Sequence, residues 1–447
     1  MIINKNNINN LDSGDINFTP VSELYKNYVL LMLTIVYVFN FVDRQILVVL
    51  QESIKADLGL SDTQLGLLSG LSFAIFYVSL GIPIARLADR SNRRNIVSVS
   101  LVVWSAMTAA CGLAQNFYHL LLARIGVGIG EAGGSPPAHA MISDYFPEEK
   151  RATALSIYSV GIYIGIMIGF PLGSWLDGLY GWRIAFFSIG IPGVLFALFF
   201  VWTVKEPKRC AQEISDKDVV DSPSVSATKE ASLKDSLKFL LSKRSFVLIA
   251  LAAGFHTFAT YGIGNWLASF MIRVHLPTGG IEASNIGLTI GLILGTAGGI
   301  GSYAGGLIAD RLGKEDKSWY AKVSAYGGII GLPFLLVFYF HPTTYIALAS
   351  LLIGYACVST FLGPTIAIVH SLVPAKMRAF SSSMLFLALN LIGLGFGPLF
   401  VGFMSDMLEP SFGTESLRWA LAATFPVSLI AIFLFFAASK KINEDLV

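Results

Sequence analysis

The sequence predicts an all-α membrane protein of twelve transmembrane helices, arranged as two six-helix halves. Three observations predict it. The composition is 54% hydrophobic and only 13% charged, where a soluble domain carries about a quarter of its residues charged. Apolar runs near the length of a bilayer crossing recur along the whole chain. A short basic loop after the second run returns after the eighth, the mark of an internal duplication.

Apolar runs of about 20 residues, enough to cross roughly 30 Å of hydrocarbon, fall in the first half at 28–50, 64–85, 95–115, 118–141, 152–175 and 182–203. In the second half they fall at 246–270, 286–308, 320–340, 343–369, 379–404 and 418–438. An even count puts both termini on one side. The basic residues agree: outside the spans, every Lys and Arg except Lys55, Arg183, Arg273 and Arg418 lies on the side of the termini, which the positive-inside rule makes cytoplasmic. The chain thus divides into a tail (1–24), a first bundle (25–204), a polar linker (205–244), a second bundle (245–439) and a short tail (440–447).

Residues 1–24 are Asn-rich and lack the apolar core of a signal peptide, so the first span is expected to act as a retained insertion signal. The end of the linker, LKDSLKFLLSKRSF, spaces apolar residues at a helical period with basic ones between them. That fits a helix lying on the membrane surface, or an ordinary connector. Compact loops and short tails suggest a bacterial inner membrane. A net charge of +2 offers no nucleic-acid surface. Cys111, Cys210 and Cys357 are too scattered for a disulfide framework.

The recurring loop reads ARLADRSNRR at 85–94 and GLIADRLGK at 306–314. It resembles the G-x-x-x-D-R-x-G-R-R signature of the major facilitator superfamily, with Ala85 and Asn92 replacing the two glycines in the first copy. The resemblance covers the whole chain and implies a secondary transporter of the major facilitator fold, a small-molecule or lipid substrate, no cofactor beyond the proton gradient, and a monomer. It also implies a cytoplasmic latch formed by Asp89, Arg90, Arg93, Asp310 and Arg311. The alternative for this loop is a plain solvated turn.

The fourth span, RIGVGIGEAGGSPPAHAMISDYFP (124–147), with VDR in the first, is similar to the Spinster-like branch of that superfamily. This narrower resemblance implies lysophospholipids or sphingoid phosphates as substrates, proton coupling, and roles for Asp43, Arg44, Arg124 and Glu131. Asp43 and Glu131 are the candidate proton carriers, since arginine does not titrate usefully; Arg44, Arg124 and Glu131 are candidate substrate contacts.

Charges inside a membrane are expensive and mark function by default. Adjacent residues on a helix point about 100° apart, so Asp43 and Arg44 each need a partner elsewhere. Counting about 1.5 Å per residue from the span ends pairs Asp43 with Arg124 and lets Arg44 reach the deeper Glu131. Arg124, Gly128 and Glu131 share one helix face, a plausible floor for a site. An acid there feels two opposed influences, burial favouring its neutral form and a guanidinium its ionised form. The alternative is a static salt-bridge network joining the first and fourth helices.

Gly161, Gly165, Gly169 and Gly173 form a four-residue ladder on the fifth span, and Gly287, Gly291, Gly295 and Gly299 another on the eighth. Such faces let helices approach closely. The resemblance implies that these two helices meet across the halves, making the ladders the sliding surfaces of a rocker-switch. GIMIGFPLG (165–173) also loosely resembles a fifth-span motif of antiporters. Pro136 and Pro137 are expected to loosen the fourth span beside Glu131. In the second half His256, Trp266 and Asn390 are the candidate substrate contacts, beside a seventh span rich in aromatics (Phe255, Phe258, Tyr261, Phe270) that would suit an apolar tail. For His256 the alternative is a hydrogen-bonded helix contact. No H-E-x-x-H, G-x-S-x-G or G-x-x-x-x-G-K-[ST] occurs, which leaves neither an enzyme nor an ATP-driven pump to defend. Alternating-access transport remains, with a proton-coupled drug or small organic anion transporter of the same fold as the alternative to a lipid carrier.

Overall fold

A computed structural model describes residues 22–207, 233–374 and 377–446. Cys210, most of the linker and nearly all of the N-terminal tail lie outside the described residues. The first half runs through α1 (Glu23–Val49), the short α2 (Gln51–Leu58), α3 (Asp62–Ser69), α4 (Leu71–Arg90), α5 (Arg93–Cys111), α6 (Phe117–Glu131), α7 (Ser135–Tyr145), α8 (Glu148–Tyr180) and α9 (Trp182–Thr203). A linker helix α10 (Leu233–Ser242) precedes the second half: α11 (Arg244–Phe270), α12 (Ala283–Leu312), α13 (Trp319–Phe340), α14 (Thr344–Val358), α15 (Leu362–Ser371), α16 (Arg378–Ala388), α17 (Phe396–Phe412), α18 (Ser416–Ala422) and α19 (Phe425–Ser439).

Among the described residues, ten stretches are long and apolar enough to cross a membrane. One of them, Phe380–Ser439, has 60 residues and holds two crossings, while α6 and α7 make one more that is broken in the middle. Twelve crossings result. The turns follow local chemistry. Ser61 and Gln64 form a capping box at the start of α3, and Gly59 ends α2 at φ +64°, a left-handed conformation that favours glycine.

Helix irregularities gather where the chain carries polar groups. Between α6 and α7 the bonding tightens, Gly134 N–H donating to Glu131 O at 3.0 Å. Pro136 and Pro137 therefore sit in the first turn of a new helix, where their missing N–H groups are no loss. The fourth span is broken at Glu131 rather than loosened beyond it. A π-helical turn at Met271–His275 ends the seventh span and another at Leu389–Gly395 interrupts the eleventh, and such turns are frequent at functional sites.

The linker helix α10 rests in part on the second half. Leu240 is fully buried and packs with Phe246 and Ile249 of α11, while Leu237 and Leu241 stay exposed.

Each half has its own apolar core, and a third cluster spans both halves at the face opposite the termini, uniting Leu47 and Phe170 with Trp266, Phe270 and Ile290. At that distal face Arg273 binds two acids of the first half. Its guanidinium reaches Glu52 at 2.7 Å and Asp62 at 2.6 Å. Asp62 is buried and also accepts from Lys55 (2.6 Å) and Ser405 (2.7 Å). Asp406 of α17 caps α3 from across the seam, accepting from the amides of Asp62 (2.9 Å) and Thr63 (2.7 Å), where a carboxylate complements the helix dipole.

Glycines bring the seam close, and they correct one expectation. The α12 ladder does face the other half: a Cβ on Gly287 would lie 2.5 Å from Phe170 O and 2.4 Å from Ser174, and one on Gly295 2.2 Å from Met167. The α8 ladder does not face it. Gly161, Gly165, Gly169 and Gly173 instead lie against Thr34, Phe41, Gln45 and Val49 of α1, in their own half. The physical reason is rotation: the α8 glycines occupy the face toward α1, while Phe170, Pro171, Met167 and Tyr163 occupy the face toward α12. Three other glycines share the seam: a Cβ on Gly66 would lie 2.5 Å from Pro398 O, one on Gly70 2.6 Å from Gly395 O, and one on Gly402 2.2 Å from Asp62 O.

Towards the termini the halves part. A Cβ on Gly299 would come no closer than 3.9 Å to Tyr163, and one on Gly306, or on Gly81 of α4, would meet nothing within 4 Å. Of the proposed latch, Arg93 pairs with Asp144 inside its own half, and the Arg93 and Arg94 amides donate to Glu206 at 2.9 and 2.7 Å. Asp310 accepts from Tyr320 at 2.8 Å, while Arg90 and Arg311 are exposed. The side chain of Asp89 lies outside the described residues.

Candidate functional site

A cavity of about 280 Å³ lies between the halves. α1 contributes Tyr37, Phe41, Arg44 and Gln45; α4 contributes Phe73 and Tyr77; Arg124 enters from α6. Thr257, Thr260, Tyr261 and Asn265 from α11, and Asn390 from the π turn, form the opposite wall.

Arg44 donates from Nε to Glu131 Oε2 at 2.6 Å, and the Glu131 side chain is fully shielded. Phe41, Phe73 and Tyr77 surround the guanidinium, their ring centres 5.1, 4.8 and 5.1 Å away. Arg124 is buried, donates from Nε to Leu68 O at 3.4 Å and lies 5.5 Å from the Phe73 ring. The flat helix face expected at Gly128 serves this packing, since a Cβ there would sit 2.8 Å from Phe73 O.

Asp43 departs from the depth argument. It is fully buried and makes no ion pair with Arg124; its Oδ2 accepts a long 3.5 Å bond from Ser105 of α5. The 100° turn from Arg44 aims Asp43 into the interior of the first half, while Arg124 turns toward Leu68 and Phe73. Several buried polar atoms here have no partner: Asp43 Oδ1, Glu131 Oε1, Arg124 Nη1, Asn40 Oδ1 and Thr108 Oγ1. Orphaned buried groups are rare in native structures and call for a function or a ligand.

The cavity wall is therefore cationic. Arg44 and Arg124 line it, whereas Glu131 and Asp43 stand behind the lining. Of the second-half candidates, Asn390 faces the cavity, its side-chain amide donating to Phe386 O at 2.8 Å. His256 is corrected to a helix contact: it is buried, bonds through Nε2 to Val358 O at 2.8 Å and packs on Phe361 at 4.3 Å. Trp266 is likewise removed from the site, because its fully buried indole donates to Pro398 O at 2.9 Å and sits under Arg273 at the distal seam. Phe255 and Phe258 line a separate, apolar groove with Phe396, Phe400 and Phe403, so of the seventh-span aromatics Tyr261 is the one that lines the central cavity.

Sequence reading missed the distal seam of Glu52, Asp62, Arg273 and Asp406. A signal was present, since Lys55 and Arg273 are among the four basic residues on that side, with acids close by in the chain. Arg183 and Arg418, the other two, pair with Asp57 and Glu415. The bond from Arg183 holds the Asp57 carboxyl below its usual range.

Known proteins share this architecture. Residues 33–392 match the model of the Major Facilitator Superfamily. An MFS-type efflux pump of Mycolicibacterium smegmatis is 30% identical over 419 residues, covering 93% of each chain. The sphingosine-1-phosphate transporter SPNS2 of Danio rerio is 26% identical over 91% of this chain and 85% of its own. A bacterial homologue of the human lysosomal transporter Spinster, solved in an inward-facing and unoccupied conformation, superposes with a TM-score of 0.83 at 31% identity, covering 96% of this chain and 99% of that one. The family match over most of the chain, together with that Spinster homologue, shows that the chain belongs to the major facilitator superfamily as a Spinster-like secondary transporter.

Proposed function

We propose that this transporter couples a proton to the movement of an amphipathic anion, such as a lysophospholipid or sphingoid phosphate, by rocker-switch alternating access. The observation that carries the reading is the cationic wall: Arg44 and Arg124 face the cavity while Glu131, paired with Arg44, and Asp43 stand behind it. An anionic headgroup entering the cavity takes Arg44 from Glu131, and Glu131 then takes a proton, so that neither exchange strands a charge in low dielectric. Asp43, with one carboxylate oxygen unpartnered, is the second proton carrier. The seam closed at the distal face and parted toward the termini supports an access path from the side of the termini; the bias of basic residues supports reading that side as the cytoplasm, and we place the transporter in a bacterial inner membrane. The working unit is a monomer.

The test is proton movement in proteoliposomes loaded with a pH-sensitive dye, on adding lysophospholipid, sphingoid phosphate or small organic anions, for wild type and Glu131→Gln. A lipid-dependent signal lost in Glu131→Gln is the expected result. Coupled flux with normal pH dependence in Glu131→Gln would remove Glu131 from the proton path.

A second reading, a proton-coupled drug or small organic anion transporter, is favoured by the modest size of the cavity and by the likeness to an efflux pump. A proton signal with small anions alone would select it.

A further inference from the structure

Two guanidinium groups in one cavity repel each other, and Glu131 pairs with only one of them, Arg44. The ring that both of them contact is that of Phe73. Its ring centre lies 4.8 Å from Arg44 Cζ and 5.5 Å from Arg124 Cζ. The ring is almost wholly buried, is stacked on Tyr77 at 5.4 Å, and has its backbone pressed against Gly128. A ring so fixed acts as a spacer, because a cation over a π face is attracted to it without being discharged. Arg44 keeps a carboxylate on Nε, while Arg124 has a buried Nη1 with no partner. That unpartnered donor, on a buried residue of the cavity lining, is the second sign of a ligand.

We propose that Phe73 is a specificity-determining positioning residue, setting Arg44 and Arg124 as a two-point clamp that favours a doubly charged tetrahedral headgroup, a phosphomonoester, over a carboxylate. A dianion offers oxygens to both guanidiniums at once, and such charge-assisted contacts are the strong ones. A carboxylate satisfies one guanidinium and leaves the second cation uncompensated. The inference rests on the proposed anion site. It goes further by naming the residue that sets headgroup preference, one that touches the arginines and not the acids.

The experiment compares dodecyl phosphate with dodecanoate, two probes with one chain length, by thermal stabilisation of the purified full-length protein. The wild type is expected to prefer the phosphate. Phe73→Leu, which keeps the bulk and loses the π face, should reduce that preference about tenfold, the loss of two cation–π contacts. Phe73→Tyr should restore it. Equal weakening of both probes in Phe73→Leu, an unchanged preference, or a wild type that favours neither probe would each overturn the clamp. Proton flux with the same probes is read separately, so a protein that binds them with this preference but moves no proton would fail the transport reading and leave the clamp standing.

Discussion

Replacing Arg273 with glutamine should open the distal face. The guanidinium joins the π-helical turn that follows α11 to two acids of the first half, with contacts of 2.6–3.0 Å to Glu52 and Asp62. Its side chain is 13% exposed and that of Asp62 only 2%, so solvent screens the bridge to Asp62 weakly. Bonds to charged groups contribute about 1.5–3 kcal/mol each. Lys55 and Ser405 remain on Asp62 in the variant, which spares it the full penalty of an abandoned buried charge. A net loss of roughly 3 kcal/mol is a reasonable sum, and it shifts an equilibrium about 150-fold. A protein closed at this face 99 times in 100 would then be divided nearly evenly between closed and open. Spin labels at the exposed positions Ala56 and Ser411, one in each half, should gain a longer distance in Arg273→Gln. An unchanged distance distribution, or a change confined to the face of the termini, would refute the assignment of Arg273 as an inter-half tie.

The other expectations concern stability and sliding. Gly287→Ala drives a methyl against Phe170 O across the seam and should lower transport and lengthen the same label distance, whereas Gly169→Ala, pressed on α1, should lower thermal stability by about 1–3 kcal/mol without changing it. His256→Gln should lower stability by about 1 kcal/mol through loss of the bond to Val358 O, measured by thermal denaturation, and leave the concentration for half-maximal transport unchanged; a large change there would return His256 to the binding site.

Much of this molecule is legible in its sequence because the bilayer imposes a length on each crossing and a sign on each loop. The spans, the paired halves and the isolation of Arg44 and Glu131 in apolar surroundings all follow from the price of charge in hydrocarbon. The facing of helices does not follow, because rotation about the helix axis leaves composition untouched. A ladder of glycines says that something comes close without saying what, and the α8 ladder meets α1 rather than α12. Asp43 failed for the same reason, since depth places a residue along the axis and not around it. Aromatics were the least readable: Trp266, Tyr261 and Phe258 lie within three turns of one helix, yet one is sealed in the core, one lines the central cavity and one lines an outer groove.

The close seating of α8 on α1 has a mechanical meaning. Four glycines lock the two helices into a single stiff bar, from Gly161 beside Thr34 to Gly173 beside Val49. On one side that bar carries Asp43 and Arg44; on the other it presents Tyr163, Met167, Phe170 and Pro171 to the opposing half. Any tilt that follows the loss or gain of charge at its inner edge is delivered to its outer edge undiminished, as with a cam keyed to its shaft. The site and the bearing on which the halves turn are thus two sides of one component.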